Sequence, residues 1–128
     1  MINIGMKYTV EINVTEKDTA KAFGSGELEV MATPRMISLM EEASAKCISS
    51  ELDNDSSSVG MYLNVKHLSA TPIGMTVKAQ SEVIAIDGRK VSFKVSACDE
   101  SGLIGEGEHE RFIINKEKFL SKTYAKKN

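Results

Sequence analysis

The chain has no tryptophan, and only two of its 128 residues are cysteine. Cys47 and Cys98 stand far apart and belong to no Cys-x-x-Cys or Cys/His spacing, which excludes a zinc cluster or a disulfide framework as the organising device. Such cysteine usage is that of a reducing compartment. Long apolar runs are missing too. No stretch approaches the ~20 apolar residues that span a bilayer, and the opening MINIGMKYTVEIN lacks the apolar core of a secretory signal. A cytoplasmic protein with no membrane partner is expected. Concentrated positive charge is also scarce. The formal net charge is −2, and the only basic cluster is the tail KEKFLSKTYAKKN, residues 116–128, read as a solvated terminal segment. Nucleic-acid binding needs Lys and Arg to neutralise phosphates, so that class of function is excluded.

What remains is ordinary globular material, 41% apolar and 27% charged. The length suits a single domain, residues 1–128, with enough chain to bury a core unaided. With seven methionines and no tryptophan, that core is aliphatic and thioether-rich. Tyr8, Val10, Ile12 and Val14 alternate with polar residues, the period of a half-buried strand. TEKDTAKAFGSGELEV then reads as a loop with a short helical turn. After DNDSSS the period of two returns, placing Val59, Met61, Leu63, Val65 and His67 on one face of a second strand. SATPIG turns the chain into a third, which runs from Val77 to Ala85 and ends at the hairpin signal Asp87-Gly88. A fourth carries Val91, Phe93, Val95 and Ala97; in a fifth, Gly105, Gly107, His109 and Arg111 alternate with Glu106, Glu108, Glu110 and Phe112.

Between the first two strands lies ATPRMISLMEEASAKC, which predicts a helix capped by Thr33, opened by Pro34 and running to about Leu52. Met36, Leu39, Met40, Ala43 and Cys47 form its core-facing stripe. Glu42 lies off that stripe, four residues before Lys46, the favourable order for an exposed pair. Glu41 has no such partner. It shares a sector with Ile37, Ser44 and Ile48, where a carboxylate is poorly solvated if anything packs on it, so it needs a partner from another element.

A strand, one long helix and four strands joined by short connections make an α+β fold with a mainly antiparallel sheet. A helix of ~18 residues spans ~27 Å, about the width of a five- or six-stranded sheet, so one curved sheet wraps it. A single helix leaves sheet edges to be managed, and a homodimer is the expected answer.

Three stretches, ATPRMISLMEEASAKC, VGMYLNVKHLSATPIGMTV and GEGEHERFIINKEKF, in this order and spacing, resemble the fluoroacetyl-CoA thioesterase-like group of hotdog-fold acyl-CoA thioesterases. The resemblance covers nearly the whole chain. It implies hydrolysis of an acyl-CoA thioester, with no cofactor beyond the coenzyme A of the substrate and no metal. It places the catalytic trio on Thr33, Glu41 and His67, and further active-site positions on Gly60 and Arg111. Glu41 then serves as general base or nucleophile, Thr33 as a hydroxyl acting at the carbonyl, and His67 as proton carrier. Gly60 lets the backbone approach the thioester and serve the oxyanion, and Arg111 contacts coenzyme or acid product. Thr33 and Glu41 are ~12 Å apart along a continuous helix. Either the helix begins later than Pro34 suggests or the site is assembled across the dimer, and the second is the expected solution.

The stretch before the helix departs from the fluoroacetate-specific members. Where those resemble one another in carrying aromatic residues, GSGELEV has glycines, Glu27 and Leu28, with Phe23 the only aromatic nearby. A short or medium acyl-CoA, rather than fluoroacetyl-CoA, follows. Two other functions fit the same fold. A dehydratase or hydratase of acyl thioesters would depend less on Thr33, and an acyl-CoA binding module would use Glu41 only structurally.

Overall fold

The computed structural model describes residues 1–127. Five strands, β1 (Lys7–Asn13), β2 (Ser56–His67), β3 (Thr76–Asp87), β4 (Lys90–Asp99) and β5 (Gly102–Asn115), form one sheet in the order β1-β3-β4-β5-β2. Every neighbouring pair is antiparallel. Helix α2 (Thr33–Ser49) lies in the concave side of that sheet, preceded by the one-turn α1 (Ala20–Phe23). This is the hotdog arrangement, an α+β fold with the sheet wrapped around one helix.

The predicted stripe is the packing surface. Met36, Leu39, Met40 and Ala43 are fully buried, and Cys47 nearly so, against Val77, Ala79, Val83, Val91, Phe93, Val95 and Ile104 of the sheet. Each large side chain so buried is worth roughly 1.5–3 kcal/mol of transfer free energy, which is what fixes the helix in the sheet. Glu42 reaches Lys46 at 2.9 Å on the outer face, as the spacing predicts. Ser44 and Ile48, in the Glu41 sector, are buried as well.

Several boundaries differ from the sequence reading, each for a local reason. Thr33 is the first residue of α2 rather than its cap; Ala32 occupies the cap position, and the Thr33 hydroxyl is turned to His67 instead of the helix backbone. The helix stops at Ser49, because the next residues close a turn with Glu51 N–H donating to the Ile48 carbonyl. The hairpin loop is Gly88-Arg89, with Asp87 paired to Lys90; Gly88 takes φ +61, a left-handed value that glycine adopts freely. SATPIG does not make a hairpin, since β2 pairs with β5 at the far edge and the chain crosses over to reach β3.

The tail is helical from Lys116 to Tyr124 (α3), started by the Asn115 side chain, which accepts from Lys118 N–H at 3.0 Å. It buries no residue, so it stays solvated, and Asn128 lies outside the described residues. Among the described residues, no helix is long and apolar enough to cross a membrane.

The largest departure is inside β2. Its register with β5 shifts between Gly60 and Tyr62, leaving Met61 as the extra residue of a β-bulge. Val65 and His67 keep the inward face read from the sequence. Beyond the bulge the alternation is inverted, so Gly60, not Met61, faces the helix. Gly60 and His67, an odd number of positions apart, thereby share one face.

Candidate active site

One half of the site sits at the helix start. Thr33, at the first position of α2, shares a 2.7 Å hydrogen bond with Nδ1 of His67, the last residue of β2. Burial lowers the His67 pKa from its ordinary value, the Ser69 backbone working the other way, so the imidazole is neutral at pH 7. Its Nε2 is buried with no hydrogen-bond partner. A buried ring nitrogen without a partner, beside a hydroxyl held by the same ring, is a group free to exchange a proton with whatever enters next to it.

The pair opens into a cleft of about 330 Å³ walled by Ala20, Ser25, Val30, Met31 and Leu68. The segment before α2 makes that wall. It is tied down by Arg35, whose Nε donates to Asp18 at 2.8 Å, and by Ala32 N–H donating to the Asp18 carbonyl at 2.8 Å. The Asp18 carboxyl lies below its usual pKa, because bonds from Thr15 and Arg35 outweigh burial. Among the described residues, no Phe or Tyr lines the cleft, and Phe23 is 46% exposed.

The other half sits two helical turns further along. A Cβ built on Gly60 would lie 2.8 Å from Glu41 Oε2, 3.2 Å from His109 Cε1 and 3.6 Å from Arg111 Nη1. Carboxylate, imidazole and guanidinium therefore converge above a residue whose lack of a side chain leaves room for them. Arg111 is 8% exposed and directly across the ladder from Gly60. Its Nε donates to Ser58 Oγ at 2.7 Å, its Nη2 to the Ser58 carbonyl at 2.9 Å, and its Nη1 points to His109 Nε2 at 3.2 Å. Burial pulls the Arg111 pKa down from its ordinary value and the Glu41 charge pushes it back up. Glu41 closes no ion pair among the described residues. The Arg111 charge acts on the Glu41 carboxylate through the field rather than by an ion-pair contact.

One chain thus joins Thr33 to His67 and Glu41 to Gly60 and Arg111, and does not bring the trio together. Arg111 is buried, and its donors are directed to Ser58 and His109. Sequence reasoning passed over His109 and Ser58. His109 was legible in the period of β5, sharing its face with Arg111, but Ser58 was hidden by the bulge, which no alternation pattern announces.

Residues 14–117 match the family model described as fluoroacetyl-CoA-specific thioesterase. The chain belongs to that family. It is 41% identical over 98 residues, 77% of this chain and 70% of the relative, to the fluoroacetyl-CoA thioesterase of Streptantibioticus cattleyicolor. The crystal structure of the fluoroacetyl-CoA thioesterase FlK superposes with a TM-score of 0.93 at 35% identity, covering 98% of each chain. A thioesterase superfamily member from Thermus thermophilus superposes with a TM-score of 0.91 at 30% identity, covering 99% of this chain and 94% of the other. In this member of the fluoroacetyl-CoA-specific thioesterase family, Thr33 and His67 lie together at the cleft and Glu41 lies over Gly60.

Proposed function

We propose that this chain is an acyl-CoA thioesterase, releasing free acid and coenzyme A from short or medium acyl-CoAs as a homodimer. Each site takes Thr33 and His67 from one copy and Glu41, Gly60 and Arg111 from the other. The observation that carries this reading is the division of the site. His67 Nε2 is orphaned at the end of β2, and a Glu41 carboxylate without an ion pair among the described residues stands over Gly60, seven residues earlier in the same strand. β2 is an edge strand with Met61, Tyr62 and Leu63 exposed along it. Antiparallel pairing of two such edges centred between Leu63 and Asn64 sets Gly60 of one copy beside His67 of the other. The bulge puts both residues on the helix-facing side, so the two halves meet on one surface.

The chemistry follows from the groups that meet. Glu41 is the base or nucleophile at the thioester carbonyl, with the buried Arg111 guanidinium holding its charge in place. The Thr33 hydroxyl, fixed by His67 Nδ1, hydrogen-bonds at the carbonyl, and a backbone N–H at Gly60 serves the developing oxyanion. His67 carries the proton to the departing coenzyme A sulfur. The apolar wall of Val30, Met31 and Leu68 receives the acyl group. Both cysteines are free, in keeping with a reducing, cytoplasmic setting.

Release of free coenzyme A from a panel of acyl-CoAs of increasing length tests the reading. Wild type is expected to turn over the short and medium members, and Glu41→Ala to lose at least ~100-fold in kcat while remaining folded. Equal turnover by both proteins would remove Glu41 from the chemistry. Turnover by neither would remove the hydrolase.

A further inference from the structure

His109 is the most deeply buried titratable group of the site. It is fully buried on β5, its ring stacked on that of Phe93 with centroids 6.1 Å apart. Two hydrogen bonds complete its surroundings, one between Nδ1 and the Tyr62 carbonyl at 2.9 Å, the other between Nε2 and Arg111 Nη1 at 3.2 Å. A guanidinium has donors only, so Nε2 is the acceptor and the ring proton sits on Nδ1, where it donates to Tyr62. The tautomer is thus set from both sides.

Both partners matter to Glu41. Tyr62 is the residue that follows the bulge at Met61, and a bulge leaves ladder groups in need of other partners. His109 supplies one from inside the sheet, and so pins the irregularity that turns Gly60 toward the helix. Arg111 is the cation that holds Glu41, and three of its donors are taken up by Ser58 and His109, which leaves the guanidinium plane one orientation. A neutral ring at this place keeps an acceptor for Arg111; burial, with Arg111 itself adding to it, favours that neutral form.

We propose that His109 is a positioning residue for thioester hydrolysis, locking the β2 bulge to the Arg111 guanidinium so that the Glu41 carboxylate stands over Gly60. It does not touch the reacting atoms. This rests on the reading of Glu41 as the reacting carboxylate, and its test separates the two.

The first arm does not depend on activity. Long-range ¹⁵N–¹H spectra of the wild-type protein at pH 7 should show His109 as a neutral ring protonated at Nδ1. A ring protonated at Nε2, or at both nitrogens, overturns the proposal even if the enzyme hydrolyses acyl-CoA as described. The second arm is kinetic. His109→Leu removes both bonds and is expected to lower kcat about 100-fold with KM changed less than about 3-fold, the mark of a misplaced rather than a missing reactant group. His109→Gln, whose amide oxygen can accept from Arg111, should recover to within about 10-fold of wild type. His109→Leu placed on Arg111→Gln should cost less than about 3-fold more than Arg111→Gln alone, because the two side chains act as one unit. Should the Leu variant fail to fold, His109→Asn, which keeps a donor toward Tyr62 but leaves Arg111 unheld, must be poorer than His109→Gln. Wild-type kcat in His109→Leu, a Gln variant no better than Leu or Asn, or multiplying losses in the double variant would each overturn the assignment.

Discussion

Gly60 shows how much one missing side chain decides. The carboxylate, imidazole and guanidinium of the Glu41 half all close on the point where its Cβ would lie, with Glu41 Oε2 at 2.8 Å. Gly60→Ala is therefore expected to displace Glu41 and lower kcat about 100-fold while the melting temperature moves only a few degrees, as steady-state kinetics beside thermal unfolding will report. The two histidines predict a pH effect of known sign. In the unfolded chain both titrate near ~6.5, whereas burial lowers the pKa of each in the fold. Between those values the unfolded chain binds more protons, so stability falls as pH falls below about 6.5 and is fully present above it. Calorimetry from pH 7.5 to 5 should show the melting temperature declining, with a shallower decline in His109→Gln; an unchanged slope in that variant would contradict the account. At this scale the sequence set Glu41 apart by its lack of a helical partner, and the fold places its carboxylate over Gly60 while Thr33 and His67 meet at 2.7 Å. The sequence misled on Thr33 as a cap, because a hydroxyl at the start of a helix has the same signature whether it bonds the helix or a histidine.

The elements were legible to the extent that their periods were regular. The helix stripe, the five strands and their antiparallel character all follow from spacing, and their packing bears it out, from Met36 to Cys47 on α2 and from Val77 to Ile104 on the sheet. β2 is the exception. Read as uninterrupted alternation it puts Met61 and Val59 inward; the bulge instead brings in Gly60 and lets Ser58 hold Arg111. A bulge is one residue of excess against a partner strand, and it is invisible until the partner's register is known. Deleting Met61 should restore plain pairing and turn Gly60 and Ser58 to the other face. Loss of thioesterase activity is expected in a variant that still shows the native circular-dichroism spectrum. Activity near wild type in that deletion would mean that the inward turn of Gly60 is dispensable.

For the molecule as a whole, the central claim is that the reacting groups are divided between two copies. Composition, charge and element order lead to the fold, and the spacing of Thr33 and Glu41 along one helix, ~12 Å, already forbids their meeting within it. What the sequence cannot supply is the pairing of an edge strand with a second copy of itself, since that depends on surface shape rather than on any period. The proposed edge is β2, whose exposed Met61, Tyr62 and Leu63 would be covered by the pairing. The direct test is complementation. Glu41→Ala and His67→Ala homodimers, each with less than about 1% of wild-type activity, are unfolded, mixed in equal amounts and refolded together. Half of the dimers are then mixed, and each mixed dimer carries one site with both residues intact, so the account predicts recovery to about a quarter of wild-type turnover. A mixture that stays as inactive as its two components, with dimer exchange verified by mass, would place all the reacting groups within one chain and contradict the account.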